Sequence, residues 1–261
     1  MLPTSAELMR FAPELVLSIL GTLLMVLEPL TGDERGEKPS LRLLALAGLG
    51  VALVAAILAL GDPGPAFNGM LQVDGYGGFF RALVIVVGIL TVLAAESYLR
   101  REKHETGEFY ALIVFSIAGQ CVMVTANELI VLFIGLEISS ISSYILAGFL
   151  RDDKRANESA LKYFLLGSFA TGFLLYGIAW IYGLTGSTNL QTIQQTLAGG
   201  SVNSVLVGLA AALMFVGFSF KVSAAPFQIW APDVYQGAPA PVSAFLSAGP
   251  KAAAFAMFAR V

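Results

Sequence analysis

The stretch FKVSAAPFQIWAPDVYQGAPAP, residues Phe220–Pro241, decides how the chain folds, because it interrupts an apolar helix with a lysine and several prolines. The run Val205–Phe220 before it is apolar enough to enter a bilayer. Proline removes a helical backbone donor, and interrupted helices at membrane depth line cavities or pack inside protein. A lysine near the bilayer centre costs about 2.5–3.5 kcal/mol on insertion scales and is a functional candidate by default. The stretch therefore predicts a discontinuous transmembrane helix, broken around residues 222–227, with Lys221 in the last turn before the break.

The composition around this stretch is that of a polytopic membrane protein. Hydrophobic residues make up 57% of the chain and charged residues 13%, against about 25% charged residues in a soluble domain. A helix needs roughly 20 apolar residues to cross a bilayer. Stretches of that length recur and predict an all-α bundle of about eight transmembrane helices. They are Ala12–Leu30, Leu41–Leu60, Tyr76–Leu99, Glu108–Thr125, Glu128–Leu150, Ser159–Leu184, Val202–Gln236 with a break, and Val242–Ala259.

The distribution of basic residues in the connections predicts the orientation. The first, third and fifth connections are basic, and the second, fourth and sixth contain no lysine or arginine. By the positive-inside rule the basic loops are cytoplasmic and the N-terminus is outside, in a bacterial plasma (inner) membrane. The second and sixth connections, residues 61–75 and 185–201, are predicted to be outer loops or short surface helices. The basic residues concerned are Arg35, Lys38, Arg42, Arg100, Arg101, Lys103, Arg151, Lys154 and Arg155.

Two expectations concern the ends of the chain. The segment before Glu14 lacks a basic n-region with a cleavage site, so we expect no removable signal peptide and a first span that stays in the mature protein. Residues Arg260 and Val261 end the sequence at the edge of an apolar helix, so we expect a piece of a longer protein.

Four charged residues inside the spans are candidates for proton transfer: Glu137, Lys162, Lys221 and Lys251. Glu137 lies near the middle of the fifth span, and Lys251 follows a proline in the eighth. Lys162 lies about one turn inside the cytoplasmic end of the sixth span. Buried charges of this kind mark ion pathways, and we predict that these residues carry protons.

The fifth span also offers a hydrated path beside its carboxylate. Glu137, Ser140 and Tyr144 share one helical face because they are spaced i, i+3 and i+7. Two unit charges about 4 Å apart interact by about 4 kcal/mol at an effective dielectric constant of 20. Coupling to the Glu137 carboxylate is therefore strong enough to change the proton affinity of Lys221.

Structural alternatives remain open for each candidate. Glu137 can be a protonated carboxyl that forms a hydrogen bond to a neighbouring helix. Lys162 can form an interfacial i, i+4 pair with Glu158. Lys251 can be a carbonyl-paired lysine without a protonic role, and the proline-rich stretch can be a structural kink.

The sequence predicts no cofactor or metal site. Its one cysteine, Cys121, lies inside the fourth span, and its one histidine, His104, lies in a charged loop. Neither supplies the clustered thiolate or imidazole ligands that zinc, iron–sulfur clusters or haem require. The net charge of −3, with basic residues confined to short loops, indicates no nucleic-acid partner.

Two motifs resemble one family closely. ALKYFLLGSFATGFLLYG from Ala160, and FKVSAAPFQIWAPDVYQGAPAPVSAFLSAGPKAAAF over Phe220–Phe255, are similar to subunit N of bacterial NADH-quinone oxidoreductase, respiratory complex I. The phrase PDVYQGAPAPV separates this family from subunits L and M and from the Mrp antiporter subunits, which resemble one another around W-L-P-D-A-H. The resemblance extends from about Phe109 onward, whereas the first three spans fit in hydropathy only.

The resemblance implies a fourteen-helix, antiporter-like subunit with two inverted five-helix repeats. Residues 1–107 would then hold three N-terminal transmembrane helices and residues 108–261 the first repeat, with the second repeat absent from this chain. In the family, the glutamate in GLEISS works with the lysine of the broken seventh helix, which implies roles for Glu137 and Lys221. The lysine of KYFLLG and that of the eighth helix match Lys162 and Lys251. A further family lysine, in the twelfth helix, has no position here.

One position departs from the family pattern. The family usually has histidine in the phrase P-F-H-x-W, where this sequence has Gln228. An amide side chain forms hydrogen bonds but does not titrate near neutral pH. A relay that needs histidine at this point is therefore not expected in this chain.

The resemblance implies a proton-translocating subunit that couples NADH oxidation by quinone to proton pumping. NADH, FMN, iron–sulfur clusters and quinone are then expected on partner subunits, and none in this chain. The implied partners are a neighbouring antiporter-like subunit, small membrane subunits of complex I and the lipid bilayer. Two other functions stay open: a subunit of an Mrp-type cation/proton antiporter, and a structural membrane scaffold.

Overall fold

The computed structural model describes residues 3–31, 39–102, 104–200 and 202–261. Their helices alternate with short connections, and one β-hairpin lies between the second and third long helices. The elements are α1 (Ser5–Arg10), α2 (Ala12–Leu27, continued by a 3₁₀ turn over Glu28–Leu30), α3 (Pro39–Ala59), β1 (Gly64–Ala66), β2 (Leu71–Val73), α4 (Gly75–Glu102), α5 (Gly107–Thr125), α6 (Leu129–Ala147), α7 (Lys154–Thr185), α8 (Leu190–Ala198), α9 (Ser204–Val222), α10 (Ala231–Gly237) and α11 (Ala240–Arg260).

Eight of the described helices are long and apolar enough to cross a membrane, so the predicted all-α bundle of about eight spans is confirmed. They are α2 to α7, α9 and α11. Helix α5 lies at the centre, with 83% of its span buried, and it packs against α2, α4, α6 and α11. By contrast α3 and α7 expose apolar side chains such as Val54, Leu165 and Phe169 over much of their length. Such faces are typical of helices that contact lipid.

Helices α5 and α6 approach each other closely because glycines face each other across their contact. A Cβ atom added at Gly119 would lie 2.6 Å from the carbonyl oxygen of Gly135 and 2.6 Å from the backbone nitrogen of Ser139. Small residues let helix backbones meet inside membranes. The contact holds α6, which carries Glu137, against the buried centre of the bundle.

The second, fourth and sixth connections meet on one face of the bundle, which we call the hairpin face. Strands β1 and β2 form an antiparallel hairpin there. Asn127 Nδ2 donates to Gly69 O at 2.9 Å, and Asn189 Nδ2 donates to the same carbonyl at 3.3 Å. Both connections were predicted to be outer loops or short surface helices. The sixth contains the short helix α8, whereas the second forms a β-hairpin, which the prediction did not include.

The first, third and fifth connections meet on the opposite face. Arg42 Nη1 lies 2.5 Å from Glu96 Oε1 and 3.4 Å from Glu105 Oε1. Arg151 Nη2 lies 3.6 Å from Glu108 Oε2 and joins the fifth connection to the start of α5. The alternation of connections agrees with a serpentine bundle, while the assignment of the two faces to compartments stays a prediction. Three of the basic residues behind it, Arg35, Lys38 and Lys103, lie outside the described residues.

The apolar run after Val205 ends where the sequence predicts a break. Helix α9 stops at Val222 because Ser223 adopts a left-handed conformation, with φ 58° and ψ 42°. The helix thus ends four residues before Pro226. The next helix, α10, begins with a proline in its first turn, as does α11. Proline fits that position because a first-turn residue has no helical acceptor for an N–H group.

Candidate functional site

Lys221 lies in the last turn of α9 with only 5% of its surface exposed. Its Nζ donates a hydrogen bond to Ser140 Oγ of α6 at 2.8 Å. Ser140 in turn donates to Leu136 O at 2.6 Å, so its hydroxyl proton points away from the lysine. A hydroxyl lone pair of Ser140 therefore accepts a hydrogen bond from the buried ammonium.

Glu137 precedes Ser140 by one helical turn and is the acidic neighbour of Lys221. The other polar neighbour of its carboxyl is Thr171 of α7. Within the described part of the chain no ion pair shorter than 4.0 Å joins Glu137 to Lys221, and Glu137 Oε1 is buried without a hydrogen-bond partner. Buried polar atoms are normally satisfied by protein or ordered water. The geometry thus brings the acid and the lysine to adjacent turns of the α6 contact, with one carboxylate oxygen of Glu137 left unpaired.

Lys162 lies in the N-terminal part of α7 and binds two carboxylates. Its Nζ is 2.7 Å from Glu158 Oε1, the i, i+4 pair, and 2.6 Å from Asp233 Oδ2 in α10. The side chain is 41% exposed. The structure therefore brings Lys162 to Asp233, which the sequence did not single out, and no described ion pair brings it to Glu137.

Lys251 lies in the middle of α11, directly after Pro250, and is half-buried. Its Nζ lies 5.2 Å from the centre of the Tyr235 ring in α10. An ammonium over an aromatic face is stabilised by the ring quadrupole. Because Pro250 has no N–H group, the Leu246 carbonyl lacks its usual helical donor.

We call residues 223–237 the interrupted segment. It contacts Lys162, Lys251 and the residue next to Lys221. Trp230 is 2% exposed, and its Nε1 donates to Phe220 O at 3.1 Å, beside Lys221. Its ring stacks on Tyr163 with centroids 4.5 Å apart and planes 7° apart. Asp233 of this segment binds Lys162, and the centre of the Tyr235 ring lies 5.2 Å from Lys251 Nζ, so the segment contacts groups at or beside all three lysines.

Tyr144 lies on the predicted face of α6, whereas Gln228 lies away from the buried lysine. The face predicted for α6 continues to Tyr144, whose ring lies edge-on to Tyr163 at 4.7 Å. Gln228, at the position where the resemblance expects histidine, is exposed, and its backbone carbonyl accepts from Ala231 N at 2.9 Å. The amide side chain therefore does not lie among the buried groups around Lys221.

One buried ion pair was missed by sequence reasoning. Arg81 of α4 is 0% exposed and Glu14 of α2 is 1% exposed, and they pair inside the bundle. Both residues lie inside predicted spans, so the rule that selected Lys221, a charged residue in an apolar run, selects them as well.

The chain is similar in sequence to known membrane subunits. The family model described as NADH:quinone oxidoreductase/Mrp antiporter, TM matches residues 126–261. NADH-quinone oxidoreductase subunit N 1 of Solibacter usitatus is 62% identical over 98% of this chain and 52% of that protein. Subunit N 2 of Koribacter versatilis is 45% identical over 98% of this chain and 53% of that protein. The chain thus spans about half the length of the curated relatives it matches.

Solved structures agree on the fold. Respiratory complex I from Thermus thermophilus with bound aureothin contains a chain with a TM-score of 0.80 and 35% identity, which covers 95% of this chain and 53% of that one. The Mrp complex from Dietzia matches with a TM-score of 0.75 at 20% identity, over 95% of this chain and 48% of that one, and so shows the fold alone. The predicted antiporter-like bundle is confirmed.

Proposed function

Since this chain belongs to the NADH:quinone oxidoreductase/Mrp antiporter transmembrane family, we propose that it is part of a proton-translocating subunit N of a bacterial NADH-quinone oxidoreductase. Relatives of that name match it over nearly its whole length. In this proposal the complete subunit couples NADH oxidation by quinone, on other subunits, to proton movement through the charged residues of the bundle.

The observation that carries the proposal is the buried contact of Lys221 with Ser140, one turn from Glu137. A buried ammonium held by a neutral hydroxyl, with a carboxylate nearby but not in direct contact, has two competing arrangements. It either keeps its proton while the carboxylate is drawn close or loses it when the carboxylate moves away, because burial opposes an unpaired charge. That sensitivity is what a proton carrier requires.

The other candidates take roles that follow from their contacts. Lys251 receives the proton released at Lys221 and passes it toward the remainder of the subunit, with Tyr235 stabilising its cationic form. Lys162, held by Glu158 and Asp233, tunes the charge beside Asp233 in the interrupted segment. The pathway uses water between these groups, because the described side chains do not form a continuous chain of direct hydrogen bonds.

The partners and location follow the same assignment. Other membrane subunits of the complex, including a neighbouring antiporter-like subunit, surround this chain in the plasma membrane of a bacterium. The hairpin face lies outside and the face with the arginine-rich connections lies in the cytoplasm, by the positive-inside rule. NADH, FMN, iron–sulfur clusters and quinone bind to partner subunits, and this chain supplies none of their sites.

The experiment is NADH-driven acidification of inside-out membrane vesicles that carry Lys221→Met in the full-length subunit. We expect proton pumping and NADH–quinone turnover to fall together while a native gel still shows the assembled complex. Lys154→Met, which removes an exposed lysine at the start of α7, is the matched control and should leave both rates unchanged.

Three results would count against the proposal. Normal pumping with Lys221→Met makes the lysine a bystander. Loss of assembly in that variant, with normal turnover in the remaining complex, supports the scaffold function. Sodium-dependent proton exchange that needs no NADH supports an antiporter of the Mrp type.

A further inference from the structure

A second buried charge site lies away from the three lysines, between α2 and α4. Arg81 Nε donates to Glu14 Oε1 at 2.8 Å, and Arg81 Nη2 lies 2.7 Å from the same oxygen. The other carboxylate oxygen, Oε2, and the guanidinium nitrogen Nη1 are buried without a hydrogen-bond partner. The pair thus uses one oxygen of Glu14 and leaves polar atoms on both partners facing the interior.

Such a pair is costly unless something satisfies the remaining atoms. Removing two charges from water costs several kcal/mol per ion, and the cost is recovered only when further hydrogen bonds complete the site. Buried unsatisfied atoms on charged groups indicate ordered water.

Polar atoms without partners continue from this pair toward the hairpin face. Asp74 lies seven residues before Arg81, on the same side of α4, which corresponds to a rise of about 10 Å. It binds Arg260 of α11 with both oxygens, at 2.9 and 3.0 Å. The Asp74 side chain is 37% exposed, whereas Arg260 Nε is buried without a partner. A partly exposed carboxylate thus lies at the hairpin face, about two helical turns from Arg81.

The same pattern continues toward the middle of the bundle. Gln120 of α5 is 0% exposed, its Oε1 has no partner, and a Cβ atom at Gly249 would lie 3.0 Å from that oxygen. Gln120 Nε2 donates to Ser116 Oγ at 3.1 Å, and Ser116 Oγ lies 3.1 Å from Ser139 Oγ of α6. Gly249 precedes Lys251 by two residues, so this end of the path reaches the helix of a proposed proton carrier.

We propose that Glu14 and Arg81 form a second proton site, which exchanges protons carried by ordered water between the hairpin face and the Gln120–Ser116 pair. A hydronium ion gives its proton to Glu14 Oε2, so that the carboxylate becomes a carboxylic acid and the hydronium becomes water, while Arg81 keeps its charge. The titratable groups that face Glu14 are Arg81 and Cys121. The charged residues of α1 are engaged elsewhere, Glu7 with Thr4 and Phe67 and Arg10 with Asp62 and Pro65. The inference rests on the proposed function, because it assumes a chain that moves protons.

The test uses the full-length subunit in the assembled complex and two variants. Glu14→Gln keeps the size and hydrogen-bonding capacity of the side chain but removes its titration. Glu14→Leu combined with Arg81→Met removes both charges. If the ion pair is purely structural, this replacement should not destabilise the protein, because the cost of burying the two charges is removed as well. We expect both to assemble, with NADH–quinone turnover and vesicle acidification reduced severalfold per assembled complex and with an altered pH profile. Asp62→Asn, which removes the carboxylate of an exposed ion pair on the hairpin face, should match the wild type.

Two outcomes would overturn the inference. One is a wild-type rate and pH profile per assembled complex in either variant. The other is failure of both variants to assemble, which assigns the pair a structural role. The Lys221→Met experiment tests the proposed function independently. Normal pumping in Lys221→Met together with an altered pH profile in Glu14→Gln would refute the Lys221 pathway and support the proton site at Glu14.

Discussion

Replacing Ser140 with alanine removes the one hydrogen bond that the described structure gives to the buried Lys221 ammonium. The hydroxyl lies 2.8 Å from Nζ, and it accepts this bond while donating to Leu136 O. Ser140→Ala therefore leaves the charge in place and removes its acceptor, together with the bond from the hydroxyl to Leu136 O within α6.

The size of the effect follows from the contact. A hydrogen bond to a charged group contributes about 1.5–3 kcal/mol. Because 1.4 kcal/mol is a factor of ten, the population of the protonated, bound lysine falls by about tenfold to a hundredfold. A water molecule that enters the space left by the hydroxyl recovers part of this energy. We therefore expect the low end, a loss of about tenfold in coupled turnover where the step at Lys221 limits the rate.

The assay is NADH–quinone turnover and vesicle acidification per assembled complex over a range of pH. Ser142→Ala is the matched control, because Ser142 Oγ donates only to Ile138 O of its own helix, at 2.9 Å. Ser140→Thr keeps a hydroxyl and should restore most of the rate. Equal rates in Ser140→Ala and the wild type, or an equal loss in Ser142→Ala, would refute the assigned role of this contact.

Three further predictions concern packing, orientation and pH. Gly119→Leu should prevent assembly on a native gel, because its Cβ would lie 2.6 Å from α6 backbone atoms, whereas Gly172→Ala meets nothing within 4 Å and should assemble normally. An impermeant thiol reagent should label Asp62→Cys from outside the cell and Asp152→Cys from the cytoplasm; the reverse pattern would contradict the proposed orientation. Burial raises the pKa of Asp74, but its hydrogen bonds to an arginine and a backbone N–H outweigh burial and lower that pKa. The Asp74 carboxylate should therefore stabilise the fold above the pKa of an unfolded aspartate, and this stabilisation should disappear as pH falls through the lowered pKa. The thermal unfolding temperatures of Asp74→Asn and of the wild-type complex should then converge in acid.

Hydropathy and charge predicted much of the architecture. The eight spans appear because about 20 apolar residues are needed to cross a bilayer, and the sequence contains that pattern eight times. The end of α9 beside Lys221 was also predictable, although its physical cause differs: Ser223 ends the helix, and Pro226 follows in the connection. Pro232 and Pro241 mark the starts of α10 and α11 rather than breaks, whereas Pro250 lies inside α11.

Partners distant in sequence were not predictable from one chain. Lys162 and Asp233 are 71 residues apart, and Glu14 and Arg81 are 67 residues apart. Local spacing gave only the Glu158 pair for Lys162, since helical periodicity relates residues three or four positions apart. The hairpin was missed because each of its strands has three residues, too few to establish an alternating pattern. The functional roles of Glu137, Lys162, Lys221 and Lys251 stay predictions.

Helix α6 presents serines to two different neighbours. Ser139 and Ser143 lie beside Ser116 of α5, whereas Ser140 receives Lys221 of α9. A rigid helix that touches both networks transmits a shift from one to the other, and thermodynamic linkage makes such an influence reciprocal. If a change of charge at Lys221 alters the water affinity of the Ser116 side, then occupancy of that side must alter the charge preference of Lys221 by the same free energy. Because α6 takes part in both networks, the equilibrium at Lys221 and the equilibrium at Ser116 are thermodynamically linked.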